Sequence, residues 1–145
     1  MTFRKRDSAG FLINLQARIM ARELSRGLKP LGLSIGYFPA LLELWAQDGL
    51  TQKELVARLH IEQATMANTL ARMERDGLIR RETNPGDGRS QRIRLTAAGR
   101  AARAPAVAAA EAVNAEMLAP LSEAERRVFL SMTQRVVEAA LARER

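Results

Sequence analysis

Residues 49–99 read GLTQKELVARLHIEQATMANTLARMERDGLIRRETNPGDGRSQRIRLTAAG, and the order of helix signals and breakers in this stretch decides the fold. Thr51-Gln52-Lys53-Glu54 has the form of a capping box, in which a hydroxyl and a carboxylate each satisfy a backbone donor across one turn. It predicts a short helix with Leu55, Val56 and Leu59 on its apolar side. His60 and Ile61 make a tight turn, and a second helix covers about Gln63 to Arg75. On a helical wheel Leu70 and Met73 fall beside Met66, whereas Ala64, Thr65, Asn68, Arg72 and Arg75 fall on the other side. One face docks, and the opposite face is polar, positive and free.

Asp76-Gly77 stops the second helix. Leu78–Thr83 then reads as a strand, Asn84–Gly88 as a turn and Ser90–Leu95 as the returning strand. Ile93 and Leu95 alternate with Arg92 and Arg94, so one side of the hairpin packs while the other stays charged. Helix, turn, helix and basic hairpin, in that order, describe a winged helix-turn-helix, a surface suited to lying along a duplex.

Outward from this stretch the chain is helical. Phe11, Leu12, Leu15, Ile19, Leu24 and Leu28 recur at helical spacing from Ser8 to about Leu28, where Lys29-Pro30 ends the helix. A second helix is expected from about Ile35 to Gln47, with Phe38, Leu41, Leu42 and Trp45 as its stripe and Asp48-Gly49 as its stop. On the far side Thr96 caps an Ala-rich helix that is expected to kink at Pro105 and end near Pro120. Ser122-Glu123-Ala124-Glu125 is a second capping box, and Val128, Met132, Val136 and Ala140 continue a stripe along the last helix. No internal repeat is present.

Composition narrows the function. With 145 residues the chain is long enough to bury a core without covalent staples. It has no cysteine and one histidine, which leaves no disulfide, thiolate metal site or thiol redox sensor, and no metal or other cofactor is expected. It has no glycine-rich phosphate loop after a strand and no spaced metal ligands, so an enzyme is not expected. No apolar run approaches the roughly 20 residues of a membrane span. The basic start is interrupted by Asn14, Gln16 and Arg18, unlike a signal-peptide core, and a soluble cytoplasmic protein is expected. The net charge of +7 suits a polyanionic partner. Twenty of the 23 basic residues are Arg, a bias that GC-rich coding alone generates, so position says more than total. Residues 80–94 hold five basic residues against two acidic ones, a local excess on the hairpin.

These residues together resemble the MarR family of bacterial transcription regulators. The likeness is densest in LTQKELVARLHIEQATMANTLARMERDGLI and DGRSQRIRLTAAG, where Asp87-Gly88-Arg89, Leu95-Thr96 and Gly99 look like the family's wing signature. The resemblance implies a mostly α fold with a small β-hairpin wing. It divides the chain into an N-terminal dimerisation helix (1–32), a winged helix-turn-helix domain (33–96) and C-terminal dimerisation helices (97–145). It implies a homodimer whose end helices interlock while two wings straddle a palindromic double-stranded DNA operator. Gln63, Ala64, Thr65, Asn68, Thr69 and Arg72 then fall where the recognition helix enters the major groove, and Arg89 at the wing tip that reaches the minor groove. Asp87 matches the aspartate that holds the wing arginine and neighbouring backbone. Thr51 and Gln52 lie where a helix N-terminus donates to phosphates, and Arg92 is a further candidate on the hairpin.

Three positions depart from the family pattern. His60 stands where Gly is common, Ala64 where Pro is frequent and Asn68 where Arg is frequent; Asn typically pairs with adenine.

A ligand-responsive repressor is therefore the expected function, and a nonspecific DNA-coating protein on the same scaffold is the competing one. Its effector would be small and aromatic or anionic. Tyr37 and Trp45 are candidates for lining an effector pocket and Arg18 for holding an anion, although plain core packing and a surface salt bridge are the simpler readings of these residues.

Overall fold

A computed structural model describes residues 2–144 of the chain. Helix α1 (Ala9–Leu28) starts where Ser8 accepts the Phe11 N–H at 3.2 Å, and it runs into a 3-10 turn at Lys29–Leu31. Only its end is covered. Leu28 is fully buried and Leu24 half-buried, whereas Phe11, Leu12 and Leu15 keep their apolar surface exposed.

The expected second helix begins as a 3-10 turn, Ile35–Tyr37, and becomes α-helical as α2 (Phe38–Ala46). Its buried face differs from the expected stripe. Ala40, Leu41 and Leu44 pack inward with Phe38, Trp45 is half-buried, and Leu42 is 44% exposed. The helix is apolar on nearly every side, so periodicity alone selects no face, and the neighbouring α3 (Gln52–Leu59) and hairpin decide it.

Between α2 and α3 lies β1 (Leu50–Thr51), a strand the sequence does not announce. After α4 (Gln63–Arg75) come β2 (Ile79–Asn84) and β3 (Asp87–Leu95). The three form an antiparallel sheet in the order β1-β3-β2, with Leu50 opposite Ile93 and Ile79 opposite Leu95. The turn is tighter than the sequence suggests. Asn84 pairs with Asp87, which leaves Pro85-Gly86 as the turn, and the register shifts between Thr83 and Asn84. Met66, Leu70 and Met73 from α4, Leu55 from α3, Ile79 and Ile93 from the sheet and Leu41 and Leu44 from α2 form one core.

Asp48 ties α2 to the sheet, its Oδ1 accepting the N–H groups of Gly49 and Leu95 at 2.9 Å each. Gly49 sits at φ 81, and a side chain there would run into the Arg94 guanidinium. Thr96 explains the first part of its motif. Its hydroxyl donates to the Gly77 carbonyl at 2.6 Å and accepts the Gly99 N–H at 3.1 Å, so it joins the hairpin's base to α5 (Ala97–Ala101). Gly99 explains the second, because a Cβ there would collide with the Leu78 carbonyl.

The Ala-rich segment is interrupted at Ala102, three residues before the expected kink at Pro105, and Ala102 itself keeps helical dihedrals of φ −70, ψ −17. Ala102 separates α5 from α6 (Arg103–Met117), which places Pro105 in the first turn of α6, where a missing N–H costs least. In the last segment Ser122 and Glu125 close the expected capping box at the start of α7 (Glu123–Arg143), and Arg126 Nε donates to the carbonyls of Leu118 and Leu121. By contrast Thr51 accepts the Glu54 N–H at 3.1 Å without a return bond from the Glu54 side chain, so only half of that expected box forms. The chain divides into two compact units, one ending at Ala110 and one beginning at Glu111. Among the described residues no helix is long and apolar enough to cross a membrane.

Candidate nucleic-acid interface

The turn between α3 and α4 needs a residue in the left-handed region, and His60 supplies it at φ 54, ψ 40. Its N–H donates to the Val56 carbonyl at 2.9 Å, so a histidine does here what a glycine would do with less strain. The turn brings the two helix N-termini together, where Gln52 Nε2 donates to Gln63 Oε1 at 3.1 Å.

Along α4 the Met66, Leu70 and Met73 side chains are buried, and Gln63, Ala64, Thr65 and Asn68 stand exposed on the surface. Thr69 is a correction. It lies about 60° from Met66 on the wheel, within the width of an ordinary buried stripe, and only 8% of it is exposed. It belongs to the packed side of α4 and is not available to a groove.

Most of the hairpin arginines are already engaged. Glu82 Oε2 takes both Arg94 Nε at 3.1 Å and Arg80 at 3.5 Å, and Arg81 pairs with Glu74 at 3.7 Å. Arg92, half-buried, donates to the Gly49 carbonyl at 3.3 Å. The strand arginines are thus tied to Glu82, Glu74 and the Gly49 carbonyl, and although most of the net positive charge stays on the strands, the hairpin guanidinium without such a partner lies at the tip. There Arg89 is exposed and its guanidinium has no ion-pair partner among the described residues. Asp87 Oδ1 accepts the Arg89 backbone N–H at 2.9 Å, so this aspartate fixes the backbone of the tip and leaves the guanidinium free.

Two more cations of the helix-turn-helix and wing lack a carboxylate or carbonyl partner among the described residues: Lys53 in the first turn of α3, and Arg72 on α4. Lys53 was not among the sequence candidates. A basic residue in a helix's first turn opposes the macrodipole, and that mismatch was the available signal. Thr51, Gln52 and Lys53 face Arg81, Asp87 and Arg89 across an open groove of about 420 Å³ between α3 and the wing. Arg72 rests on an aromatic ring, its Cζ 5.5 Å from the centroid of Tyr37.

Tyr37 is 2% exposed, and its hydroxyl donates to Asp76 Oδ2 at 2.6 Å. Burial, then this bond to a carboxylate, raises the phenol above its ordinary value, and the same bond lowers Asp76 below that of a free carboxylate. Trp45 packs edge-on against Phe38, with centroids 6.1 Å apart, and its Nε1 donates to the Gly99 carbonyl at 2.9 Å. For both effector-pocket candidates the simpler packing reading accounts for what the side chain touches. The Tyr37 hydroxyl is bonded to the end of α4 and the Trp45 indole N–H to α5. Arg18 is exposed on α1 without an ion pair among the described residues.

A short helix, a left-handed turn, a polar-faced helix and an arginine-tipped hairpin on one core define a winged helix-turn-helix, a class of DNA-binding domain. Residues 31–90 match the model of the MarR family. An HTH-type transcriptional repressor of Mycobacterium tuberculosis is 32% identical over 127 residues, 88% of this chain and 91% of the relative. The crystal structure of a probable transcriptional regulator from Pseudomonas aeruginosa superposes with a TM-score of 0.84 at 30% identity, covering 92% of this chain and 99% of that one. The PcaV transcriptional regulator from Streptomyces coelicolor, solved in complex with its natural ligand, gives a TM-score of 0.84 at 26% identity over 97% and 99% of the two chains. The chain belongs to the MarR family and is a DNA-binding transcriptional regulator.

Proposed function

We propose that this regulator is a cytoplasmic, ligand-responsive repressor that holds a palindromic operator as a homodimer. The observation that carries the reading is the distribution of uncommitted cations. Lys53, Arg72 and Arg89 sit on α3, on α4 and at the wing tip, one to each element that a winged helix lays along DNA. Gln63, Ala64, Thr65 and Asn68 would meet base edges, Asn68 with a preference for adenine. Arg89 would enter the minor groove, where negative potential is strongest at narrow sites. Thr51, Gln52 and Arg92 would line the phosphate track and position the head without reading sequence.

Self-pairing is supported by the apolar side chains that α1 and α7 leave uncovered, Phe11 and Leu12 on one and Val128, Met132 and Val136 on the other. In this reading residues 1–32 and 97–145 pair two copies and residues 33–96 read DNA. Two recognition helices about 34 Å apart would enter successive major grooves. A small aromatic or anionic effector would alter that separation, as suits a protein whose structural relative was solved with its natural ligand. Since both heads must fit one duplex, a small change in spacing removes most of the gain from bivalency.

Selection of fragments from a random duplex pool tests the reading. Two inverted half-sites centred about one helical turn apart are expected. A pool that stays unenriched while the protein binds every duplex alike would overturn it in favour of nonspecific coating.

A further inference from the structure

Arg72 lies on the exposed side of α4, yet its guanidinium is not loose. It lies 5.5 Å from the centre of the Tyr37 ring, and no carboxylate holds it among the described residues. Gly36 lies beside it: a Cβ there would sit 3.6 Å from Arg72 Nη2, in ordinary van der Waals contact, so only a longer side chain would compete with the guanidinium for its place. The ring itself cannot turn away, since it is buried and its hydroxyl is fixed on Asp76 at 2.6 Å. Asp76 closes the same helix one turn after Arg72, so the anchor and the anchored group share α4. A guanidinium held over an aromatic face by a cation–π contact spends no N–H donor on a carboxylate and leaves its donors available for an anion.

We infer that Tyr37 is a positioning residue for DNA recognition: its ring, pinned by Asp76, presents the Arg72 guanidinium to the duplex already ordered. This rests on the DNA-reading role proposed above for the exposed side of α4. Holding the side chain in place before binding removes an ordering cost that a free arginine would meet on contact. The arrangement also makes the Ile35–Tyr37 turn, which packs against both α1 and α4, part of what sets the pose of a groove-facing cation.

A double-mutant cycle on duplex affinity tests this. Tyr37→Leu removes the ring and, with two heads on one duplex, should weaken binding roughly tenfold. Tyr37→Phe keeps the ring and should rescue most of that loss. In an Arg72→Ala background Tyr37→Leu should cause no further loss. Gly36→Leu, at an exposed position outside the core, fills the space under the guanidinium and should reproduce the Tyr37→Leu loss should that variant fail to fold. Equal loss from Tyr37→Leu or Gly36→Leu with and without Arg72 would overturn the inference, because the effect would then be structural. The pose is also read without DNA. The Arg72 Nε–H resonance should be shifted upfield by the ring in wild type and Tyr37→Phe, and should move to the free-guanidinium position in Tyr37→Leu or Gly36→Leu. An unshifted wild-type resonance refutes the positioning even if duplex binding is intact, whereas a shifted resonance without duplex binding refutes the DNA-reading role of this face.

Discussion

Helices α4 and α7 both carry apolar side chains at helical spacing, and the two stripes end in opposite environments. Met66, Leu70 and Met73 of α4 are sealed in the core, while α7 runs for 21 residues without one buried side chain and leaves Val136 66% exposed. Periodicity states that a helix has a face to bury; it does not say whether the partner is in the same chain. A contiguous uncovered apolar face usually marks an interaction surface, and a second copy of the chain is the partner proposed for it here.

The contrast can be broken first on α7. Replacing Met132 and Val136 together by Glu puts two charges into the proposed subunit contact, and self-association measured by sedimentation should weaken by a hundredfold or more, as about 3 kcal/mol or more is lost. Unchanged association would leave α7 without its assigned partner. On α4 the matching substitution is Leu70→Ala, which should lower the unfolding free energy by about 2–5 kcal/mol in urea.

Gly99→Ala is a subtler break. Its new Cβ would strike the Leu78 carbonyl, and a cost of roughly 1–3 kcal/mol is expected as α5 backs off the sheet. Trp45 should report it, since its indole N–H bonds to the Gly99 carbonyl, and an unchanged fluorescence spectrum would argue against that coupling.

The smallest effect is the pH dependence of the Tyr37–Asp76 bond. Asp76 is lowered below its ordinary value of 3.8, so its contribution to stability is complete above that value and is lost as pH falls through the lowered one. The gap in melting temperature between wild type and Asp76→Asn should therefore hold steady from neutral pH to about pH 5 and close below about pH 4. A gap that is constant throughout would mean the carboxylate's charge contributes nothing.

The reading head was the most legible part of the chain because its signals are local. The limits of α4, the left-handed His60, the cap at Thr96 and the pairing of two strands all depend on residues a few positions apart. What escaped depends on distance or register. The two-residue β1 is too short to carry a pattern, and Tyr37 meets Asp76 across 39 positions. The Glu82–Arg94 pair could not be assigned without the register of the two strands. Thr69 sits at the margin of the α4 stripe, where a polar residue and a buried position look alike in sequence. Of the candidate site, the exposed residues of α4 and the wing tip were readable, but the ion pairs of Arg80, Arg81 and Arg94 were not, so sequence alone overstated how many hairpin guanidinium groups are free.

Salt dependence of duplex binding tests most directly whether Lys53, Arg72 and Arg89 are the cations that grip DNA. Three phosphates neutralised by these residues in each of two heads contribute about −5 to the wild-type slope of log affinity against log salt. The Lys53→Ala, Arg72→Ala, Arg89→Ala variant should lose that contribution and keep only the shallow slope left by Arg92, with an unchanged melting temperature. A variant that keeps the wild-type slope would contradict the account.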